Sequence, residues 1–95
     1  MKVSDLKDFP ACINFWDQIN LKKAFPDATL KQIETDFEIG KTYFCSYWHM
    51  YFTVLEIKSD RIFDKIYVSK WQDGKINSHS TKPDKRYDFE IVLNN

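Results

Sequence analysis

Six of the eleven residues at positions 42–52, TYFCSYWHMYF, are aromatic, and this run restricts the fold more than any other part of the chain. Side chains of a β-strand point alternately to opposite faces. A strand through the run would place Tyr43 and Tyr47 on one face of a sheet. The same strand would place Phe44 and Trp48 on the opposite face. Both faces therefore carry aromatic rings, and the chain must either cover both or leave one set exposed.

Upstream of this run, residues 8–25 have the spacing of an amphipathic helix. Asp8 is a candidate N-cap, Pro10 suits the first turn, and Pro26 cannot continue the helix. Apolar residues recur every three or four positions, which predicts one inward-facing side. The residues of that side are Cys12, Phe15, Trp16 and Ile19.

A second helical signal follows directly. Thr29 and Gln32 have the spacing of a capping box, and Gly40 is a typical helix end. The apolar stripe between them consists of Leu30, Ile33 and Phe37. Residues 1–39 are therefore predicted to form a helical hairpin.

After Gly40 the apolar period changes from 3.6 to 2, which predicts strands. Asp73-Gly74 is a strong hairpin signal, in which both central residues would have positive φ. The candidate strands are TYFCSYW, MYFTVLEIK, the end of IFDKIYVSKW, INSHST and YDFEIVL. Five short strands joined by short turns are typical of a small antiparallel barrel.

Two of these strands alternate clearly enough to predict their faces. In the second strand, Tyr51, Thr53, Leu55 and Ile57 are expected on one side. In the last strand, the residues expected to point inward are Tyr87, Phe89, Ile91 and Leu93, with Asp88 and Glu90 pointing outward.

Residues 40–93 resemble the SH3-like and Tudor-like small barrels. The likeness consists of an aromatic-rich first strand, the strand YFTVLEI, and the segment IYVSKWQDGKI, in which an aromatic precedes an Asp-Gly hairpin. It implies a five-stranded antiparallel SH3-like barrel at 40–95. The helical hairpin at 1–39 is a departure from those modules, and together the two parts predict one α+β domain over residues 1–95, with the hairpin packed on the barrel. Tudor-like modules surround a methylated cation with aromatic rings. The residues at similar positions here are Tyr43, Tyr47, Trp48 and Tyr51.

Composition narrows the function classes. Fourteen basic and fourteen acidic residues balance, which does not favour a general nucleic-acid binder or an acidic decoy. The chain shows no secretory signal and no apolar run long enough to span a membrane, so we expect two free cysteines and a cytoplasmic location. A bias toward Lys, Ile, Asn, Phe and Tyr is typical of A/T-rich coding and suggests a bacterial or phage source.

The reactive residue types do not form a recognisable catalytic set. Cys12, Cys45, His49 and His79 have zinc-binding chemistry, but their spacing does not form ligand pairs. Cys45 with either histidine lacks the context of a nucleophile, and His79 is expected to be an exposed strand residue. With two glycines, the chain cannot form a phosphate-binding loop. We therefore expect no enzyme activity, no cofactor and no metal.

The sequence favours a non-enzymatic protein-interaction module, an accessory or regulatory protein that binds a protein or peptide. The predicted contact residues are Tyr43, Tyr47, Trp48, Tyr51, Trp71 and Asp73. Homo-oligomerisation and a core role for the aromatic run remain alternatives. A second hypothesis is single-stranded nucleic-acid binding, in which an aromatic stacks on bases and cations pair with phosphates. Its residues would be Lys70, Trp71, Lys75, Lys82, Lys85 and Arg86.

Overall fold

The computed structural model describes residues 12–93, which form one helix and six strands. The elements are α1 (Phe15–Ala24), β1 (Thr29–Gln32), β2 (Thr42–Cys45), β3 (Met50–Lys58), β4 (Ile66–Trp71), β5 (Ile76–His79) and β6 (Asp88–Val92). The strands form one sheet in the order β1-β6-β2-β3-β4-β5, and every neighbouring pair is antiparallel. The sheet is open, with β1 and β5 at its edges.

The predicted helical hairpin on a five-stranded barrel is wrong, because the described chain has one helix and an open six-stranded sheet. The segment expected to be a second helix contains β1, which pairs with β6. Leu30 lies opposite Ile91 in this pairing, and both are buried. Pairing and burial outweigh the local helical signal, since the apolar spacing of so short a segment suits either structure. Gly40, expected to end that helix, instead has a φ of 85° in the turn before β2.

Helix α1 begins at Phe15 and is capped by Asn14, whose side-chain oxygen accepts a hydrogen bond of 2.8 Å from the backbone N–H of Asp17. The predicted cap at Asp8 and Pro10 lies outside the described residues. The helix ends at Ala24, in agreement with the stop predicted at Pro26.

The inward side predicted for α1 is wrong. Phe15 and Trp16 are 67% and 71% exposed, whereas Asp17 and Leu21 are buried. These two buried residues are four positions apart and therefore share one side of the helix. This side docks on the sheet through the fully buried Leu21 and through Asp17, whose carboxylate lies 2.7 Å from His49 Nδ1.

The sheet has a core on each face. On the face that α1 covers, here called the helix face, the buried residues are Ile13, Leu21, Ala28, Leu30, Phe44, Phe89 and Ile91. On the opposite face, here called the aromatic face, they are Ile33, Phe37, Tyr43, Cys45, Phe52, Val54 and Tyr67. Phe44 thus lies on one face, and Tyr43 and Cys45 lie on the other, as the alternation of β2 predicts.

The sides of β3 change at a bulge, where the pairing register with β4 shifts between Val54 and Glu56. Tyr51 packs on the helix face, but Ile57 packs on the aromatic face with Val54. The prediction that Tyr51 and Ile57 share a side is therefore wrong. A bulge adds one residue to a strand, so every later side chain points to the other face.

The predicted Asp73-Gly74 hairpin is confirmed and joins β4 to β5, but its turn differs from the expected one. Among the described residues, Gly74 has a φ of 84° and Asp73 does not have positive φ. The N–H of Gly74 donates to the carbonyl of Trp71 at 2.8 Å, and the N–H of Trp71 donates to the carbonyl of Lys75 at 2.9 Å. This is a three-residue loop in which glycine supplies the left-handed position.

The predicted alternation of the last strand is confirmed in part. Phe89 and Ile91 are buried, but Leu93 follows the end of β6 and is 55% exposed. Asp88, expected to point outward, is buried opposite Cys45, and its carboxylate accepts a hydrogen bond of 2.7 Å from the backbone N–H of Asp84. Within residues 12–93, α1 is too short and too polar to cross a membrane.

Candidate functional site

Phe37 is the centre of the aromatic face. It comes from the segment between β1 and β2, and its ring packs edge-to-face on Tyr43 at 4.8 Å, Tyr67 at 5.1 Å and Phe52 at 5.3 Å. Edge-to-face pairs at such distances add about 0.5–1.5 kcal/mol each beyond the burial of area. One side chain from a loop therefore holds β2, β3 and β4 together on this face.

Asp36 fixes the position of Phe37. Its carboxylate accepts hydrogen bonds from the Phe37 backbone N–H at 2.8 Å, from the Tyr67 hydroxyl and from Lys65. Desolvation opposes the charged form, yet the hydrogen bonds from Lys65 and Tyr67 outweigh it, and the pKa of Asp36 lies below its usual value. The loop that carries Phe37 is thus tied to the start of β4 by an ionised carboxylate.

His79, at the end of β5, lies among aromatic rings. The imidazole is 5.1 Å from Phe52, 5.3 Å from both Tyr67 and Trp71, and 5.8 Å from Phe37 and Trp48, measured between ring centroids. Both ring nitrogens are buried and have no hydrogen-bond partner among the described residues. Burial lowers the pKa of His79 to about 4, so the ring is neutral at pH 7. The expectation that His79 is exposed is wrong.

The turn at residues 46–49 carries the exposed part of the aromatic run. Strand β2 ends at Cys45, so the predicted alternation does not reach Trp48. The chain reverses through His49, whose φ is 58°, and Trp48 packs on Trp71 at 5.5 Å. Trp48 therefore lies on the aromatic face and not beside Phe44. It is 39% exposed, and α1 does not cover it.

Two contacts hold this turn. The backbone N–H of Ser46 donates to the carbonyl of Tyr87 at 2.9 Å, and its hydroxyl donates to the same oxygen at 2.8 Å. His49 Nδ1 lies 2.7 Å from a carboxylate oxygen of Asp17 on α1. A carboxylate only accepts, so Nδ1 is the donor, and the Asn14 amide 3.2 Å away does not donate to it. The turn is thus anchored to both β6 and α1.

A cavity of about 190 Å³ opens beside Trp48 on the aromatic face, and we call it the aromatic pocket. The atoms exposed on its wall are almost all apolar. Its rings come from five separate segments and belong to Phe37, Tyr47, Trp48, Phe52, His79 and Tyr87. Tyr47 and Tyr87 pack edge-to-face at 5.5 Å, and Tyr47 is 67% exposed.

One side of the pocket is bordered by Cys45, Asp84 and Asp88. Burial raises the pKa of the Cys45 thiol to about 11, so the thiol is protonated at pH 7 and is a weak nucleophile. Burial also raises the pKa of Asp88, whose carboxylate accepts from the backbone N–H of Asp84 at 2.7 Å. Arg86 donates to Asp84 at 2.9 Å and neutralises it. The border therefore presents the buried carboxylate of Asp88 beside the ion pair of Asp84 with Arg86.

The predicted contact residues separate into two groups. Tyr47, Trp48 and Trp71 lie on the aromatic face, and Asp73 borders an open depression next to both tryptophans. Tyr43 is 1% exposed and accepts a hydrogen bond from the Glu38 backbone at its hydroxyl, so it belongs to the core.

Tyr51 lies on the other face, where it packs on Phe25 at 4.9 Å. The sequence reasoning missed Phe37, Phe52, His79 and Tyr87 as parts of a site. The period-2 alternation of the strands could have predicted that Phe52 and Trp71 share a face of the sheet. No local sequence signal indicates that Phe37 or Tyr87 also reaches the pocket on that face.

The basic residues of the nucleic-acid hypothesis do not form one surface. Trp71 packs on Phe52 at 4.6 Å on the aromatic face, and Lys70, its neighbour in β4, points to the opposite face. Lys82 and Lys85 border a depression that also contains Glu34, Thr35, Asp36 and Asp64. Arg86 is paired with Asp84, and Lys75 lies in the β4–β5 turn. A continuous positive path beside an exposed ring is therefore missing from these six residues.

The candidate zinc ligands are also dispersed. Cys12 packs against the helix-face core and Cys45 belongs to the aromatic-face core. His49 pairs with Asp17, and His79 is enclosed by rings. Across residues 12–93, no group of three or more His, Cys, Asp or Glu side chains is placed to hold a metal ion.

Comparison with protein-family models, with curated proteins and with solved structures finds no match to this chain. The resemblance of residues 40–93 to SH3-like and Tudor-like folds stays a prediction.

Proposed function

We propose that this protein is a non-enzymatic interaction module that binds a peptide or protein partner at the aromatic pocket. The observation that carries the proposal is the position of Trp48. This large ring is 39% exposed, stands beside a cavity of about 190 Å³, and packs on Trp71 and His79. Exposed tryptophan and tyrosine next to a pocket provide a large contact area at low cost in side-chain entropy.

The chemistry of the pocket supports binding over catalysis. The thiol of Cys45 has a pKa of about 11 because it is buried, and the buried nitrogens of His79 have no partner in the described chain. A nucleophile needs an adjacent base within hydrogen-bond reach and a third group that orients the base. These residues do not supply that arrangement, so we assign no enzyme activity to the protein.

We also propose a cytoplasmic location and an accessory or regulatory role in a bacterium or phage. Two free cysteines, one of them buried, favour a reducing compartment. The compositional bias toward Lys, Ile, Asn, Phe and Tyr is typical of A/T-rich coding and supports a bacterial or phage source.

Selection from a random peptide display library on the immobilised full chain tests the proposal. We expect enrichment of peptides that bind the unmodified protein and the Trp16→Ala variant but not the Trp48→Ala variant. Trp16 is the matched control because it is a tryptophan of α1 that is 71% exposed. A far-UV circular dichroism spectrum confirms that each variant is folded.

Two results would contradict the proposal. One is a library from which no peptide is enriched, and the other is a set of peptides that a folded Trp48→Ala variant retains in full. Size-exclusion chromatography with light scattering tests the alternative of self-association through the same rings. A dimer that Trp48→Ala converts to a monomer would identify a second copy of the chain as the partner.

A further inference from the structure

We propose that the aromatic pocket binds the side chain of one tyrosine of the partner, whose hydroxyl forms a hydrogen bond with His79. This inference rests on the proposed function and names the chemistry that the site recognises. It is argued from the size of the cavity, from the apolar character of its wall and from the two nitrogens of His79, which have no hydrogen-bond partner among residues 12–93.

The size of the pocket suits a single six-membered ring. An engineered apolar cavity of about 150 Å³ in another protein binds benzene. The aromatic pocket has about 190 Å³, which leaves room for a ring with one small polar substituent. A wall made almost entirely of carbon gains most from an apolar ligand, since burial contributes roughly 25 cal/mol per Å² of apolar surface.

The polar substituent follows from His79. A neutral imidazole has one donor and one acceptor, and leaving such groups buried without partners costs about 1–3 kcal/mol. Neither nitrogen of His79 has a partner in residues 12–93. A phenol hydroxyl both donates and accepts, so it can pair with either nitrogen whichever tautomer is present. A ligand of this chemistry therefore removes a cost that the free protein bears.

Trp48 controls the access to His79. The indole packs on the imidazole at 5.8 Å and borders both the aromatic pocket and the depression on its other side. In this arrangement the two nitrogens are closed off from solvent. The proposed ligand reaches them when the side chain of Trp48 rotates while the backbone of the turn stays in place, so the ligand ring replaces part of the contact between Trp48 and His79.

The charges of the border balance and do not select a cationic guest. Asp84 is paired with Arg86, and the buried carboxylate of Asp88 is offset by Lys82 on the same pocket. A neutral ring does not depend on this balance, and a cationic probe tests it.

Small probes test the inference with the full chain. 4-Methylphenol represents the tyrosine side chain, toluene lacks its hydroxyl, and tetramethylammonium represents a cation. Dissociation constants come from titrations followed by chemical shifts in protein NMR spectra. We expect 4-methylphenol to bind about tenfold more tightly than toluene, which corresponds to about 1.4 kcal/mol, the size of one net hydrogen bond.

The His79→Phe variant keeps a ring at this position and removes both nitrogens. In this variant 4-methylphenol should bind no more tightly than toluene, because its hydroxyl has lost its partner, while Trp16→Ala should bind both probes like the unmodified protein. Independently of any variant, a ¹⁵N resonance of the His79 imidazole should shift on addition of 4-methylphenol and not on addition of toluene.

Equal binding of 4-methylphenol and toluene to the unmodified protein would overturn the inference. So would preferential binding of tetramethylammonium, the absence of binding by any probe at millimolar concentration, or an unchanged imidazole resonance. Selected peptides that depend on Trp48 but share no tyrosine would also overturn it, and would leave the proposed function standing. Failure to select any peptide contradicts the function itself.

Discussion

The two faces of the sheet each bury a hydrophobic core, but the cores consist of different kinds of side chain. The core of the helix face is mainly aliphatic and is closed by α1, with Leu21 fully buried. The core of the aromatic face is mainly rings and is covered by a loop whose main contact is Phe37. The second face contains a pocket of about 190 Å³ and the imidazole of His79, which has no hydrogen-bond partner among residues 12–93.

This difference has a physical origin. Aliphatic side chains have several rotamers and small branches, so they can adjust until the space between helix and sheet is filled. Aromatic rings are rigid and prefer edge-to-face or offset arrangements, so they adjust less freely. The face that contains the pocket is also the one that presents Trp48 and Tyr47 to solvent. We therefore assign binding to the aromatic face, while the buried residues of both faces contribute to stability.

The largest expected effect is that of Phe37→Ala. Removing a buried ring that contacts four other rings, His79 among them, should lower the free energy of unfolding by about 3–5 kcal/mol. Urea unfolding measures this change. Ile39→Ala is the control from the same loop, because Ile39 is 61% exposed and its loss should cost less than about 0.5 kcal/mol.

Leu21→Ala makes the matching change on the helix face, where we expect a loss of about 2–5 kcal/mol. Peptide binding by the two variants, measured under conditions in which both are folded, then separates the roles of the two faces. Phe37→Ala should lose binding and Leu21→Ala should keep it. A loss below 1 kcal/mol for Phe37→Ala would show that the loop does not hold the aromatic face together.

Acid should destabilise the aromatic face through His79. The pKa of His79 is about 4 in the folded protein and 6.5 for a free side chain. Between pH 4 and pH 6.5, His79 is therefore protonated in the unfolded chain and neutral in the folded protein. The free energy of unfolding should therefore fall as the pH is lowered from 7 to 4. We expect on the order of 2 kcal/mol, discounted because the residue is only partly buried.

Urea unfolding at several pH values, compared between the unmodified protein and His79→Phe, measures this effect. The variant cannot take up the proton, so its stability should depend less on pH over this range. Parallel curves for the two proteins would contradict the assignment of a neutral, buried imidazole.

The pair of Asp17 and His49 should produce a smaller effect, because the His49 side chain is 51% exposed. A double-mutant cycle with Asp17→Asn and His49→Asn should give a coupling of about 1 kcal/mol. Asparagine is suitable at position 49 because it tolerates positive φ. Lys58 and Glu56, both exposed and 3.9 Å apart, form the control pair, with a coupling near zero. Equal couplings would show that α1 does not anchor the turn that carries Trp48.

Features set by neighbouring residues could be predicted from the sequence. Pro26 stops α1 because the ring cannot continue the helix, and Gly74 permits the β4–β5 hairpin because it accepts a positive φ. The alternation of Tyr43 and Phe44 across β2 follows from strand geometry alone. Each of these features depends on one or two residues and the backbone around them.

Features set by distant partners could not be predicted. Strand β1 depends on the pairing of Leu30 with Ile91. The orientation of α1, which leaves Trp16 exposed, depends on the burial of Leu21 and on the contact of Asp17 with His49. The bulge after Val54 leaves no periodic mark in the sequence.

The aromatic pocket depends most strongly on residues that are distant in the sequence. Phe37, Tyr47, His79 and Tyr87 are brought together only by the completed sheet. The sequence could indicate that rings exceed the needs of one face, but it could not indicate where the excess lies.

The central claim is that partners bind at the aromatic face and not at the exposed side of α1. Amide chemical-shift mapping of the ¹⁵N-labelled protein with a selected peptide tests this most directly. We predict that the largest shifts fall in the turn at residues 46–49, at His79 and at Tyr87. Largest shifts at Phe15, Trp16 and Ile19, the apolar residues that α1 leaves exposed, would contradict the claim.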